Sequence, residues 1–262
     1  MTGLGDGEKE KHINTFKTYL PWSLGVIALL EQGSFKESYY HGGSESIAIL
    51  NGFFEWIVFC AREEGFPIIL EHIKRRNIQS RIVYTSKNNI SSNILGYLEH
   101  RQYHIEEFML HRGEYAATPY EYFFAKEQDV ERLAGMQKKY CMEEVSWSFY
   151  QRSLKDFVAE YEEKVGDGRV FAGAAPAGCK VEIAARYMEY VKIGSVYTER
   201  EYRGSGLAKK CMQGVLQWCF ENGVSPCLSV RRDNTAARGL YLGCGFEKKG
   251  EVLYCINTSD RL

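Results

Sequence analysis

The sequence predicts an α/β protein in which short apolar strands alternate with amphipathic helices. Three observations carry that expectation. Runs at 46–50, 53–60, 81–85, 104–111, 179–184, 187–198, 226–231 and 252–256 have the apolar, β-branched and aromatic character of strands. Between them, runs such as 128–140, 153–164 and 209–221 repeat apolar residues at helical spacing. The length of 262 residues, with 45% hydrophobic and 14% aromatic content, supports a well-packed core in one to two domains.

Element by element, residues 15–30 are expected to be helical, broken by Pro21. The strands 46–50 and 53–60 pair across Asn51-Gly52, a hairpin signal. A helix over 67–76, a strand over 81–85, a helix over 91–100 and a strand over 104–111 complete a β-β-α-β-α-β order. In the second half, the helix 128–140 carries Val130, Leu133, Ala134 and Met136, and the helix 153–164 carries Leu154, Phe157, Val158 and Tyr161. Gly166-Asp167-Gly168 breaks the chain before a strand from 169 to 174. Ala175-Pro176-Ala177-Gly178 is a turn signal before the strand 179–184. Asp233-Asn234-Thr235 offers cap residues to a helix through Ala236, Ala237, Leu240 and Tyr241, and Gly243-Cys244-Gly245 stops it.

Between the strand 187–198 and the helix 209–221 lies Arg203-Gly204-Ser205-Gly206-Leu207-Ala208. Two glycines within three residues allow a close backbone approach. A helix start leaves its first N–H groups unpaired and carries about half a positive charge. Together these features suggest a diphosphate cradle, although such turns also join strand to helix without any ligand. The phosphate loop of nucleoside triphosphatases is excluded, because Lys209 and Lys210 are followed by Cys211 and Met212. The dinucleotide fingerprint fails as well, since Lys209 occupies the third glycine position.

Arg203-x-x-Gly206-x-Ala208, followed by Asn234-x-x-Ala237-x-x-Leu240-Tyr241-x-x-x-Gly245-Phe246, resembles the GNAT superfamily of acetyl-CoA-dependent N-acetyltransferases. Arg200 stands where many relatives have proline. The resemblance implies a GNAT-like mixed, splayed β-sheet flanked by helices over residues 118–262, preceded by a smaller α/β domain over 1–117. It implies acetyl-CoA as cosubstrate and no metal. The backbone of Val196, Tyr197 and Thr198 would then pair with the pantetheine arm like an added strand. Amides of Gly204, Ser205, Gly206, Leu207 and Ala208, with Arg203, would hold the diphosphate. Asn234 would hydrogen-bond the pantetheine, and Tyr241 would give its proton to the departing thiolate as general acid. Arg238, on the same helix, could reach a CoA phosphate but reads better as a solvated side chain.

A base must take the proton of the attacking amine, directly or through water. Glu189, placed on the central strand, is the candidate, although a strand-edge or solvent-facing carboxylate fits it at least as well. Glu143 and Glu144, near Trp147, Phe149 and Tyr150, offer carboxylates among aromatics that suit a cationic acceptor, although the ordinary surface and core of a helix end fit them equally. The 1–117 segment offers Arg62-Glu63-Glu64-Gly65-Phe66-Pro67 where a cofactor loop would sit, and this acidic pair would repel a diphosphate. That segment is expected to be a degenerate GNAT-like half, or else an unrelated α/β domain. It would build the acceptor cleft or a homodimer contact.

Net charge is −1, which leaves no electrostatic footprint for nucleic acid. The apolar run 20–30 is too short to span a bilayer, so no membrane partner is expected. Eight scattered cysteines without metal-ligand spacing read as reduced, buried thiols of a cytoplasmic protein. All six histidines precede residue 112, which argues against His-based acyl transfer in the second half. The leading function is N-acetyl transfer to a primary amine of a small molecule, by direct attack in a ternary complex. The alternatives are a protein or peptide N-acetyltransferase and a CoA-binding sensor without turnover.

Overall fold

The computed structural model describes residues 6–33, 35–51, 55–76, 81–86, 88–98, 102–113, 123–144, 152–172 and 178–256. Cα packing separates two compact units. The first comprises Met1–Leu110, Cys227–Arg238 and Glu247–Leu262, and the second comprises His111–Pro226 and Gly239–Phe246.

In the first unit, helices α1 (Asp6–Lys17) and α2 (Leu24–Gln32) flank Pro21, as the proline predicts. α1 begins earlier than expected, because its first turns are charged and show no apolar stripe in the sequence. β1 (Phe35–His41) pairs antiparallel with β2 (Ser46–Asn51), and β2 pairs antiparallel with β3 (Glu55–Cys60). β1 was not expected; its mixed charge hides it, and pairing with β2 makes it a strand. α3 (Gly65–Arg75) then crosses to β4 (Arg81–Ser86), which runs parallel to β3. α4 (Ser92–Gly96) follows, capped by the Ser91 hydroxyl, which accepts from Ile94 N–H at 3.2 Å. β5 (Gln102–His111) completes the expected β-β-α-β-α-β order.

The last strands of the two chain halves are exchanged within this unit. β9 (Ser225–Arg231) pairs antiparallel with β5, and β10 (Phe246–Ile256) pairs antiparallel with β4. The resulting order is β1-β2-β3-β4-β10-β5-β9. Every residue of β2 is buried. Alternation explains this, since successive side chains point to opposite faces. Ala48, Leu50, Trp56 and Val58 pack with Phe66, Ile69, Leu70 and Ile73 of α3. On the helix α1 side, Phe16 meets Phe59 edge-on at 5.8 Å. Burying each of these large apolar side chains contributes about 2–3 kcal/mol.

In the second unit, α5 (Val130–Glu144) packs on α6 (Leu154–Gly166), whose start is a capping box of Ser153 and Asp156. β6 (Val170–Ala172), β7 (Cys179–Tyr187) and β8 (Tyr190–Thr198) form an antiparallel meander. α7 (Leu207–Glu221) packs on all three strands, and Trp218 meets Phe171 edge-on at 5.7 Å. Val170, Ala172 and Tyr197 instead join the core with α5 and α6. α8 (Thr235–Gly243) precedes β10. β10 starts at Phe246 rather than near 252, because the polar residues 247–251 look like a loop until they are paired. The hairpin turn at Gly52, the turn 175–177 and the aromatic residues Trp147, Phe149 and Tyr150 lie outside the described residues.

All eight cysteines are free thiols, and all but Cys244 are buried. No helix among the described residues is long and apolar enough to cross a membrane.

Candidate functional site

The hexapeptide 203–208 occupies the turn that the sequence assigned to it. A one-turn helix at Arg200–Tyr202 leaves β8, and the exposed turn 203–206 then leads into α7. Gly204 has φ +76° and Gly206, the N-cap of α7, has φ +81°. Both values lie in the left-handed region that glycine enters without steric cost. No atom lies within 4 Å of where a Cβ would stand on either residue, so the turn is open on that side. The first bond onto α7 runs from Lys210 N–H to Gly206 O at 3.1 Å, so the amides ahead of it have no acceptor inside the helix. Ser205 is turned inward: its Oγ donates to Tyr202 O at 2.6 Å.

Arg203 joins this turn to β8. Its Nε donates to Thr198 O at 3.0 Å, and its guanidinium lies 5.6 Å from the Tyr197 ring centroid. Its Nη2 donates to Glu143 Oε2 at 2.7 Å. Glu143, on the last turn of α5, also accepts from Tyr197 Oη at 3.0 Å and Arg200 Nε at 3.2 Å. Burial alone would raise the Glu143 carboxyl, but Arg203, Tyr197 and Arg200 outweigh it and hold it below the usual carboxylate range. The same hydrogen bond, donated by Arg203 to Glu143, raises Arg203. Sequence reasoning had set Glu143 beside an acceptor pocket. Its nearest partners are instead the two arginines and the tyrosine around the glycine turn.

Val196, Tyr197 and Thr198 close β8, with Tyr197 buried and its neighbours half-buried. Just before them the register slips: Lys180 faces Tyr197 and Glu182 faces Gly194, so Val181 opposes two residues, Ser195 and Val196. This is a β-bulge, and Ser195 adopts φ +47° within it.

Tyr241 is buried on α8, with its ring edge-on to Phe246 at 6.1 Å. Gly245, at φ +90°, stops the helix. A Cβ there would stand 3.0 Å from His111 Nε2, and that nitrogen lies 3.0 Å from Cys244 O. This close approach is why the helix stop needs glycine. In the first unit, Asn234 caps α8 by accepting from Ala237 N–H at 3.1 Å. This bond engages the side-chain oxygen of Asn234. Arg238 is not a solvated side chain as expected: its guanidinium forks onto Glu107 at 2.9 and 3.1 Å.

Glu189 requires a correction. It is not on a strand but in the two-residue turn Met188-Glu189 between β7 and β8, where Met188 takes φ +50°. Its side chain is exposed, and its carbonyl accepts from Ser225 N–H at 2.5 Å. The apolar run of 187–198 hid this turn, because neither residue is a turn former.

A family model for acetyltransferases of the GNAT family matches residues 95–246, more than half of the chain. The chain belongs to the GNAT family. It is therefore an acyltransferase by family, as the two sequence blocks implied. Among solved structures, a GNAT-family acetyltransferase from Colwellia psychrerythraea aligns with a TM-score of 0.62 at 11% identity, over 98% of this chain and 99% of that one. A GCN5-related N-acetyltransferase from Kribbella flavida gives 0.60 at 15% identity, over 92% and 95%. A tandem GNAT protein from the clavulanic acid biosynthesis pathway gives 0.56 at 13% identity, over 98% and 97%. At these identities the likeness is one of fold. It extends over the N-terminal half, whose element order repeats that of the GNAT half. No curated protein matches the chain in sequence.

That N-terminal half differs at the position of the glycine turn. β3 and β4 stay paired from Glu55↔Arg81 through Phe59↔Thr85. A Cβ on Gly65, at the start of α3, would stand 1.9 Å from Ser46 Oγ, so this helix start is packed rather than open. The Glu63 carboxylate beside it accepts from the Ser91 hydroxyl.

Proposed function

We propose that this GNAT protein transfers an acetyl group from acetyl-CoA to a primary amine of a small molecule, by direct attack in a ternary complex. The observation that carries the reading is the open turn 203–206. Its two left-handed glycines and the amides ahead of Lys210 support a diphosphate site at this helix start, with Arg203 next to them in the chain. When bound, acetyl-CoA would supply an activated acyl thioester. Arg203 and the amides of Gly204, Gly206, Leu207 and Ala208 would hold its diphosphate, and the edge of Val196–Thr198 would orient its pantetheine arm. Asn234 Nδ2 would hydrogen-bond the same arm, and the Tyr241 hydroxyl would hold the proton for the departing sulfur. A phenol suits this task because it gives up a proton without first having to be charged.

One cofactor site per chain follows from the contrast with α3, whose packed start and acidic neighbour disfavour a diphosphate. The N-terminal segment 1–117 is then proposed to serve the acceptor or a homodimer contact, with 118–262 as the transferase domain. A small amine is the proposed partner, with no nucleic acid or membrane; no metal is proposed, and the proposed location is the cytoplasm. The test is thiol release from acetyl-CoA against a panel of amines and peptides, with CoA binding measured by calorimetry. Turnover with small amines supports the reading. Turnover with peptides alone, or CoA binding without turnover on any acceptor, would replace it with the protein acetyltransferase or the sensor.

A further inference from the structure

β7 carries two buried charges on its α5-facing side. Lys180 is fully buried and Glu182 is 2% exposed. Lys180 Nζ donates to Glu182 Oε1 at 2.5 Å, to Gln137 Oε1 at 2.7 Å and to the backbone oxygen of Ser195 at 3.1 Å. Glu182 also accepts from Lys164 Nζ at 2.7 Å and from the Tyr161 hydroxyl. Burial would raise Glu182, but the two lysines prevail and hold it at about 2. An interior ion pair of this kind rarely stabilises more than an apolar pair of the same volume. Net stability is therefore a poor reason for a lysine at this position.

The third acceptor of Lys180 supplies a better one. Ser195 is the left-handed residue of the β8 bulge, and its carbonyl is the one that Lys180 grips. Gln137 Nε2 reaches the Ser195 hydroxyl at 3.5 Å from the same side. One extra residue in a strand reverses which later N–H and C=O groups face each edge. The bulge thus decides the outward backbone groups of Val196, Tyr197 and Thr198.

We propose that Lys180 is a positioning residue for acyl transfer: it fixes the Ser195 bulge and so sets which backbone groups of residues 196–198 meet the pantetheine arm. This rests on the acetyl-CoA reading above. Gln137 accepts from Lys180 and reaches the Ser195 hydroxyl, which completes the clamp.

The test compares Glu182→Gln, which retains the lysine donor, with Lys180→Met/Glu182→Gln, which removes donor and buried charge together. The double variant is expected to lose about tenfold or more in kcat/KM relative to Glu182→Gln, the scale of a small misplacement. Its amides at 194–198 exchange hydrogen about tenfold faster. Adding Ser195→Gly recovers part of both losses, because glycine takes φ +47° without the steric cost. Ser195→Val, with Lys180 and Glu182 intact, produces the same two losses and serves if the double variant does not fold. The proposal is overturned if the double variant stays within twofold of Glu182→Gln in both readouts. It is also overturned if Ser195→Gly recovers nothing or Ser195→Val costs nothing. Wild-type protein that fails to bind CoA would instead overturn the cofactor reading on which the proposal rests.

Discussion

Arg203 Nη2 lies 2.7 Å from Glu143 Oε2, and this ion pair ties the last turn of α5 to the glycine turn ahead of α7. Tyr197 and Arg200 share the same carboxylate. The pair fixes the guanidinium between the Glu143 carboxylate and the Thr198 carbonyl.

The Glu143 carboxyl sits below its ordinary range in the folded protein, so its ionised form stabilises the fold. The contribution is fully present above the unfolded carboxylate value, about 4.3, and is lost as pH falls through the lower folded value. Glu143→Gln should therefore be less stable than wild type at pH 7, with the gap closing below about pH 4. Urea unfolding at pH 7, 5 and 3.5 checks this; a gap independent of pH would remove the charge argument.

Tyr241→Phe keeps the buried ring against Phe246 and deletes only the hydroxyl. If that hydroxyl delivers the proton to the departing thiolate, kcat should fall by about 10²–10⁴ with the KM for acetyl-CoA little changed. Steady-state kinetics with the best amine decides it. A variant running at full speed would end the general-acid role.

Two glycines near the turn should respond differently to alanine. At Gly206 a Cβ meets nothing, so the cost is the left-handed backbone alone, about 1–2 kcal/mol. At Gly178 a Cβ would stand 2.0 Å from Tyr202 Cδ2, and the ring must move. The Tyr202 carbonyl holds Ser205, so its displacement disturbs the turn as well as the packing. Gly206→Ala should lower the melting temperature by a few degrees, and Gly178→Ala by more, with both weakening CoA binding. Scanning calorimetry and titration with CoA separate the two; equal melting temperatures would contradict the close contact at Gly178.

The Arg238 guanidinium is committed to Glu107 in a two-bond fork. Arg238→Ala should leave a buried carboxylate with its fork partner gone and cost about 1–3 kcal/mol. The Kd for CoA should stay within about twofold of wild type if the arginine has no ligand role. A large rise in Kd without loss of stability would reassign Arg238 to the cofactor.

Much of the molecule was readable from local pattern. The apolar runs of β2 and β3 and the helical spacing of apolar residues in α5 and α6 each state their structure within a few residues. β1 was not readable, because Phe35–His41 mixes charge with aromatics and becomes a strand only by pairing with β2. Glu189 was misplaced because Met188-Glu189 turns with no glycine, proline or asparagine to mark it. The burial of Lys180 and Glu182 was not readable either, since nothing local shows that α5 and α6 cover that face of β7.

The chain's own residues were enough to mark the glycine turn and the family. Glycine at φ +76° and +81°, an arginine and a helix start are local requirements, met by neighbours in the chain. Folding in three dimensions settled the partners of the charged groups. Arg203 meets Glu143, Arg238 meets Glu107, and Lys180 meets the Ser195 carbonyl, each across separate elements. Such pairs depend on packing and strand register, and no short-range pattern encodes the partner of a charge that the folded core brings close.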